Sequence, residues 1–232
     1  MSTSSTRPQQ TERSTLRLML VLTFVTGIID ATGYLGLDRV FAGNMTGNVV
    51  ILGLGLAGAD HLPVLGPALA LCGFLLGAAL AGRALRHSAR GAWTAMGTRV
   101  LAGCAVLLSG AVVLLLFEES HTQRLAMAWV AFLLATAMGA QAATARHIAV
   151  QDVTTVVVTS TLTGLAADSR FAGGGSPLWL RRSGSVMALT AGAAAGAGML
   201  LLHTAVGVAV SAVLTVVVAT WGHHRVRADT EE

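Results

Sequence analysis

An acid inside an apolar run, and a cluster of amides and hydroxyls about a dozen residues further on, are the side chains in this sequence best suited to do chemistry. Asp30 lies well within the apolar stretch that begins near Leu16, and Val40-Phe41-Ala42-Gly43-Asn44-Met45-Thr46-Gly47-Asn48-Val49-Val50 sets two Asn, a Thr and two Gly between apolar runs. A charged side chain at bilayer depth costs at least ~2.5–3.5 kcal/mol on insertion scales, so such acids face a cavity or a partner. On a helix Asp30 shares a face with Thr26, Gly27, Gly33 and Tyr34, a stripe smaller and more polar than the rest. That placement suits a proton or cation site, or an acid that ties helices together. A helix starting near Thr46 leaves its first four backbone N–H groups without intrahelical partners. Asn44 or Thr46 can cap one; the others, at the positive end of the helix dipole, suit an anion or carboxylate. The plainer alternative is that Asn44, Thr46 and Asn48 satisfy a buried turn.

These residues need elements to hold them at depth, and the composition says what kind. Of 232 residues 54% are hydrophobic and 11% charged, against about 25% charged in soluble domains, which marks an integral membrane protein. The basic residues are all Arg, in short patches between apolar runs rather than along one face, so no nucleic-acid partner is expected. Cys72 and Cys104 lie in apolar runs without metal or redox spacing and read as core. Crossing about 30 Å of hydrocarbon takes roughly 18 apolar residues or more. Six windows qualify: 16–37, 63–82, 100–117, 125–145, 183–202 and 204–221, while 45–57 and 155–166 are too short. Residues 1–15 are polar and read as a disordered cytoplasmic arm; no small-residue cleavage site follows Arg17, so the first run is a span rather than a signal peptide. Residues 16–222 form one transmembrane domain and 223–232 a cytoplasmic tail.

Arg sets the orientation, because short loops rich in it stay cytoplasmic. Arg7, Arg13 and Arg17 precede the first span; Arg83, Arg86, Arg90 and Arg99 surround the loop after the second; Arg170, Arg181 and Arg182 precede the fifth; Arg225 and Arg227 follow the sixth. With six crossings and both termini inside, every Arg-rich loop is cytoplasmic, provided the short apolar pieces do not cross. Segments 38–57 and 148–166 are therefore expected to be re-entrant from opposite sides, lining an interior site, since non-helical backbone at membrane depth must be covered by protein or water. Placing Met45-Thr46-Gly47-Asn48-Val49 over Val158-Thr159-Ser160-Thr161-Leu162 aligns the halves 16–118 and 125–222. Each then carries a long span, a β-favouring piece (39–41 or 154–158), a polar turn, a short helix and two more spans. Three crossings per half make this an inverted repeat. The expected fold class is an all-α integral membrane protein with six transmembrane helices and two re-entrant strand/half-helix segments.

The run Gly27-Ile28-Ile29-Asp30-Ala31, followed by Val40 to Val49, resembles the signature of the YoaK-type family, bacterial inner-membrane proteins with a domain of unknown function. Met138-Gly139-Ala140-Gln141-Ala142-Ala143 and Val158-Thr159-Ser160-Thr161-Leu162-Thr163 resemble its second motif, with Ser160 where the pattern favours Gly. The resemblance implies a multi-pass bacterial inner-membrane protein and supplies no activity.

From the residues themselves, the expected function is a secondary transporter or channel for a small anionic or carboxylate-bearing solute. Asn44, Thr46, Gly47 and Asn48 would face Thr159, Ser160 and Thr161 across the midplane, with Asp30 and Gln141 as proton- or ion-coupling residues. The alternative is a non-transporting scaffold or assembly protein with structural polar turns. No catalytic motif appears, so no enzyme, cofactor or metal is expected; Gly173 to Pro177 lacks the P-loop Lys and reads as a linker, and the His residues are scattered. The partners expected are the lipid bilayer and a small solute, with homo-oligomerisation left open.

Overall fold

The structure is a computed structural model and describes residues 6–117, 123–148, 158–169, 173–174 and 178–230. Its elements in chain order are α1 (Thr6–Gly36), α2 (Met45–Leu56), a 3₁₀ turn (Ala59–His61), α3 (Leu65–Leu85), α4 (Ala95–Leu116), α5 (Gln123–Ile148), α6 (Val158–Ala167), α7 (Trp179–Leu200) and α8 (Thr204–Thr230). Six of them, α1, α3, α4, α5, α7 and α8, are long and apolar enough to cross a membrane; α2 and α6 are apolar but short. The apolar windows therefore find every long helix, and all but two of their ends to within a few residues. Two differences stand out. Helix α1 begins at Thr6, because Arg, Gln and Glu are good helix formers and extending an existing helix is cheap. Helix α8 likewise continues through the polar tail to Thr230.

The expected strand at 39–41 is not there, and no strand occurs among the described residues. Asp38 and Arg39 turn the chain off the end of α1 in the left-handed region, at φ 60° and 59°. The Phe41 N–H and C=O, which a strand partner would otherwise satisfy, are both taken by the Asn48 side chain. The second β-favouring piece lies outside the described residues except for Val158, which opens α6.

The bundle is built on two tight helix pairs. A Cβ at Gly77 of α3 would run into the Thr136 carbonyl of α5, and one at Gly139 of α5 into the Phe74 carbonyl of α3. In the same way Gly192 of α7 abuts the Phe24 carbonyl of α1, and Gly27 of α1 the Leu189 carbonyl of α7. Contacts that advance together along both chains mean that α3 runs parallel to α5, and α1 to α7. Small residues let the backbones approach this closely, the usual way helices gain dispersion contacts in lipid. Helix α4 packs on α5 and α8, α8 also on α1, α2 on α3, and α6 on α7.

Which ends meet follows from the buried clusters. Met19 and Leu22 in the first half of the α1 span, which runs Arg13–Gly36, Leu101 near the start of α4, Ala145 and Ile148 at the end of α5, and Val218 and Ala219 late in α8 form one cluster. The α3–α4 loop joins this end, where the Gly91 N–H donates to the His147 carbonyl at 3.2 Å, and so does the start of α7, with Gly184 beside Leu20. Helices α1 and α8 thus begin and finish at the same end of the bundle. Arg13, Arg17, Arg86, Arg90, Arg99, Arg146, Arg181 and Arg182 fall towards it. At the other end Arg39 pairs with Asp60 at 3.6 Å, both exposed.

Candidate functional site: a carboxylate at the start of a short helix

The segment leaving α1 folds back along that helix. A Cβ at Gly33 would strike the Val40 carbonyl, and one at Gly43 would come within 2.9 Å of the Thr26 methyl. Residues 40–43 therefore descend past Gly33, Asp30 and Thr26, the polar, small stripe of α1. Thr26 lies about ten residues, or about 15 Å of helical rise, below the end of α1, so the turn into α2 sits near the middle of the α1 span. Gly27, on the neighbouring face, belongs to the contact with α7 instead. Tyr34 stacks on Phe41, ring centroids 4.9 Å apart, and closes the outer side of the descent.

Asp30 meets this segment through one oxygen. Its Oδ1 accepts the backbone N–H groups of Ala42 at 3.0 Å, Gly43 at 2.6 Å and Asn44 at 3.4 Å. Successive amides aimed at one carboxylate oxygen, at the positive end of α2, form the anion nest expected of this stretch, and the anion that fills it is the protein's own. Hydrogen bonds to an ionised acceptor are roughly twice as strong as neutral ones. The cost of placing Asp30 in the span is met here by backbone donors rather than by a basic side chain.

The other polar residues of the knot are occupied locally. Asn44 is the N-cap of α2, its side-chain oxygen accepting the Gly47 N–H at 3.2 Å. Asn48 is fully buried; its Oδ1 accepts the Phe41 N–H at 2.9 Å and its Nδ2 donates to the Phe41 carbonyl at 2.6 Å. Gly47 faces the Phe41 ring, which a Cβ would approach to 2.8 Å, so its smallness serves packing. Thr46 is exposed.

Gln141 of α5 joins from the opposite side. Its Nε2 donates to the Leu22 carbonyl at 3.2 Å and to Thr26 Oγ1 at 3.1 Å, while its Oε1 is buried without a hydrogen-bond partner among the described residues. The acceptor-only Leu22 carbonyl fixes this amide orientation. One turn of α1 separates Thr26 from Asp30, so Gln141, Thr26, Asp30 and the start of α2 form one contiguous polar column. The second expected group stands apart from it. Thr159 and Ser160 are exposed and Thr161 is buried at the start of α6, which packs on α7 and makes no contact with α2.

Sequence reasoning missed the backbone N–H groups of Ala42 and Gly43 as the partners of Asp30, because main-chain donors leave no residue signature. It also missed Tyr34 stacking on Phe41. The available signal was the Gly between small residues just ahead of an N-cap, a place where backbone can approach another group closely.

Comparison with known proteins adds the following. A family model described as "Protein of unknown function (DUF1275)" matches residues 18–221. Among curated proteins, the chain is similar to the UPF0700 transmembrane protein YoaK of Bacillus subtilis (strain 168), at 31% identity over 156 residues, covering 67% of each chain. No solved structure matches.

Proposed function

We propose a function from the premise that this chain belongs to the DUF1275 family, multi-pass membrane proteins of which YoaK is one relative: it is a secondary transporter of a small anionic or carboxylate-bearing solute, coupled to a proton on Asp30. The observation that carries this reading is the Asp30 carboxylate held by the amides of Ala42, Gly43 and Asn44 near mid-span. A solute carboxylate can take those amides only when Asp30 gives them up. Protonation weakens Asp30 as an acceptor and frees the nest, so the proton and the anion enter as a pair. One proton per monoanion makes the cycle electroneutral, and uptake rises as the pH on the entry side falls. No bond in the solute is made or broken, which makes this a carrier rather than an enzyme.

Three features support the alternating-access architecture that such a carrier needs. Val40 touches both Gly33, near the end of α1, and Gly66, in the first turn of α3, so the chain between them leaves and returns at one end of the bundle, as a re-entrant segment does. The helix contacts map onto themselves when α1, α2, α3 and α4 are exchanged for α5, α6, α7 and α8, the pattern of an inverted repeat. Burial along 158–167 follows that along 45–54 at nearly every position, with Thr161 matching Asn48. In this reading α6 starts the corresponding nest, with Thr159, Ser160 and Thr161 as its polar residues. The Arg-rich end faces the cytoplasm.

The test is uptake of a panel of labelled small carboxylates by proteoliposomes across pH, for the wild type and Asp30→Asn. Acid-stimulated uptake by the wild type and a flat pH profile for the inserted variant are expected. An unchanged pH dependence in Asp30→Asn sinks the coupling. A second reading, a scaffold without transport, draws support from the internal occupation of Asn44 and Asn48. Wild-type vesicles that take up no anion at any pH, with the protein folded, favour it.

A further inference from the structure

A groove of about 550 Å³ runs between α4 and α8, outside the polar column described above. At one end it is edged by Arg99, His223 and His224; it then continues over Ala102, Ala105, Val106 and Val216 to Ser109. Among the described residues no acid lines it and Arg99 makes no ion pair. The basic end has a definite depth. Arg99 lies in the second turn of α4, and His224 closes the apolar window of α8, which spans Thr204–His224. Both helices leave hydrocarbon at that level, where lipid phosphates lie. From Arg99 to Ser109 is about ten residues, or about 15 Å of helical rise, half of the roughly 30 Å hydrocarbon core. The apolar part of the groove is thus one leaflet deep, the reach of a single acyl chain.

We propose that this groove seats one anionic phospholipid of the surrounding bilayer, its phosphate against Arg99, His223 and His224 and one acyl chain along Ala102, Ala105 and Val106. Charge complementarity selects the headgroup, since basic pockets between helices at the Arg-rich side of a membrane protein attract anionic lipids. Guanidinium is the discriminating group, giving paired N–H donors to phosphate at any physiological pH. The apolar wall selects a lipid over free phosphate, which would gain nothing from it.

Native mass spectrometry of the full chain, released from micelles holding equal phosphatidylglycerol and phosphatidylcholine, tests the proposal. One phosphatidylglycerol is expected to remain bound, preferred over phosphatidylcholine by about fivefold, the equivalent of about 1 kcal/mol for one basic side chain near the surface. Arg99→Gln should abolish the preference. Ala102→Phe, which fills the groove and keeps every charge, should remove the retained lipid of either kind. Arg83→Gln, outside the groove, should change nothing. Equal retention of both lipids by the wild type overturns the proposal, as does a preference that survives both groove substitutions. Retention of inorganic phosphate in place of lipid overturns it as well.

Discussion

Asn48 takes the place of a missing strand. Its amide pairs with both backbone groups of Phe41, as a neighbouring strand would, and this lets a non-helical turn sit inside a helical bundle. Asn48→Ala leaves the partly buried N–H and C=O of Phe41 unpaired, at up to about 1–3 kcal/mol each, less where water reaches them. A lower thermal midpoint in detergent is expected, with insertion retained; an unchanged midpoint would show that water or another donor replaces the amide. Gly47→Val acts on the same unit, because the added carbons displace the Phe41 ring from Gly47 and disturb its stack on Tyr34. That substitution should lower stability together with uptake, rather than uptake alone. At this scale the sequence was informative wherever a side chain was out of place. An acid in an apolar run and Asn residues ahead of a short helix marked Asp30, Asn44 and Asn48. It could not reveal that Asp30 itself fills the anion site beside those Asn residues, since Gly43 contributes only a backbone N–H. Nor could it reveal the bond from Gln141 to Leu22, whose partners are 119 positions apart.

Among the elements, the glycine contacts of the parallel pairs decide how closely the helices approach. Gly77→Ala places a Cβ against the Thr136 carbonyl and forces α3 away from α5; overpacking of this kind costs about 1–3 kcal/mol. Gly82, on the same helix, has nothing within 4 Å of a Cβ, so Gly82→Ala should leave stability unchanged or raise it slightly through helix propensity. Thermal unfolding of the two variants side by side checks the contrast, and equal midpoints would refute the close-contact account. Element existence was easy to read, because six apolar runs of membrane length leave few alternatives. The strand at 39–41 was misread for a physical reason: Val and Phe favour a strand only where a partner strand exists, and here a side chain satisfies the backbone instead.

For the molecule as a whole, the clustering of α1, α4, α5, α7 and α8 termini at the Arg-rich end predicts a definite labelling pattern. Single cysteines introduced at 60 and at 90, in a background with Cys72 and Cys104 replaced, should react with an impermeant maleimide from outside and from the cytoplasm respectively. Reaction of residue 60 from the cytoplasm would reverse the orientation. The sequence carries this level through its Arg distribution alone, which orients the bundle without revealing which helices touch. The structure adds that α1 is matched with α7 and α3 with α5, so each glycine seam joins the first half of the chain to the second. During synthesis α1 reaches the bilayer long before α7, and at 5–20 residues per second the wait is on the order of ten seconds. Through that interval Gly27 lacks the helix that covers it, while Gly77 waits only until α5 follows α3 into the bilayer. Until α5 is made, the nascent protein therefore passes through a stage in which its first half is inserted and neither glycine seam has closed, the stage at which proteolysis or a shielding helper would act on it.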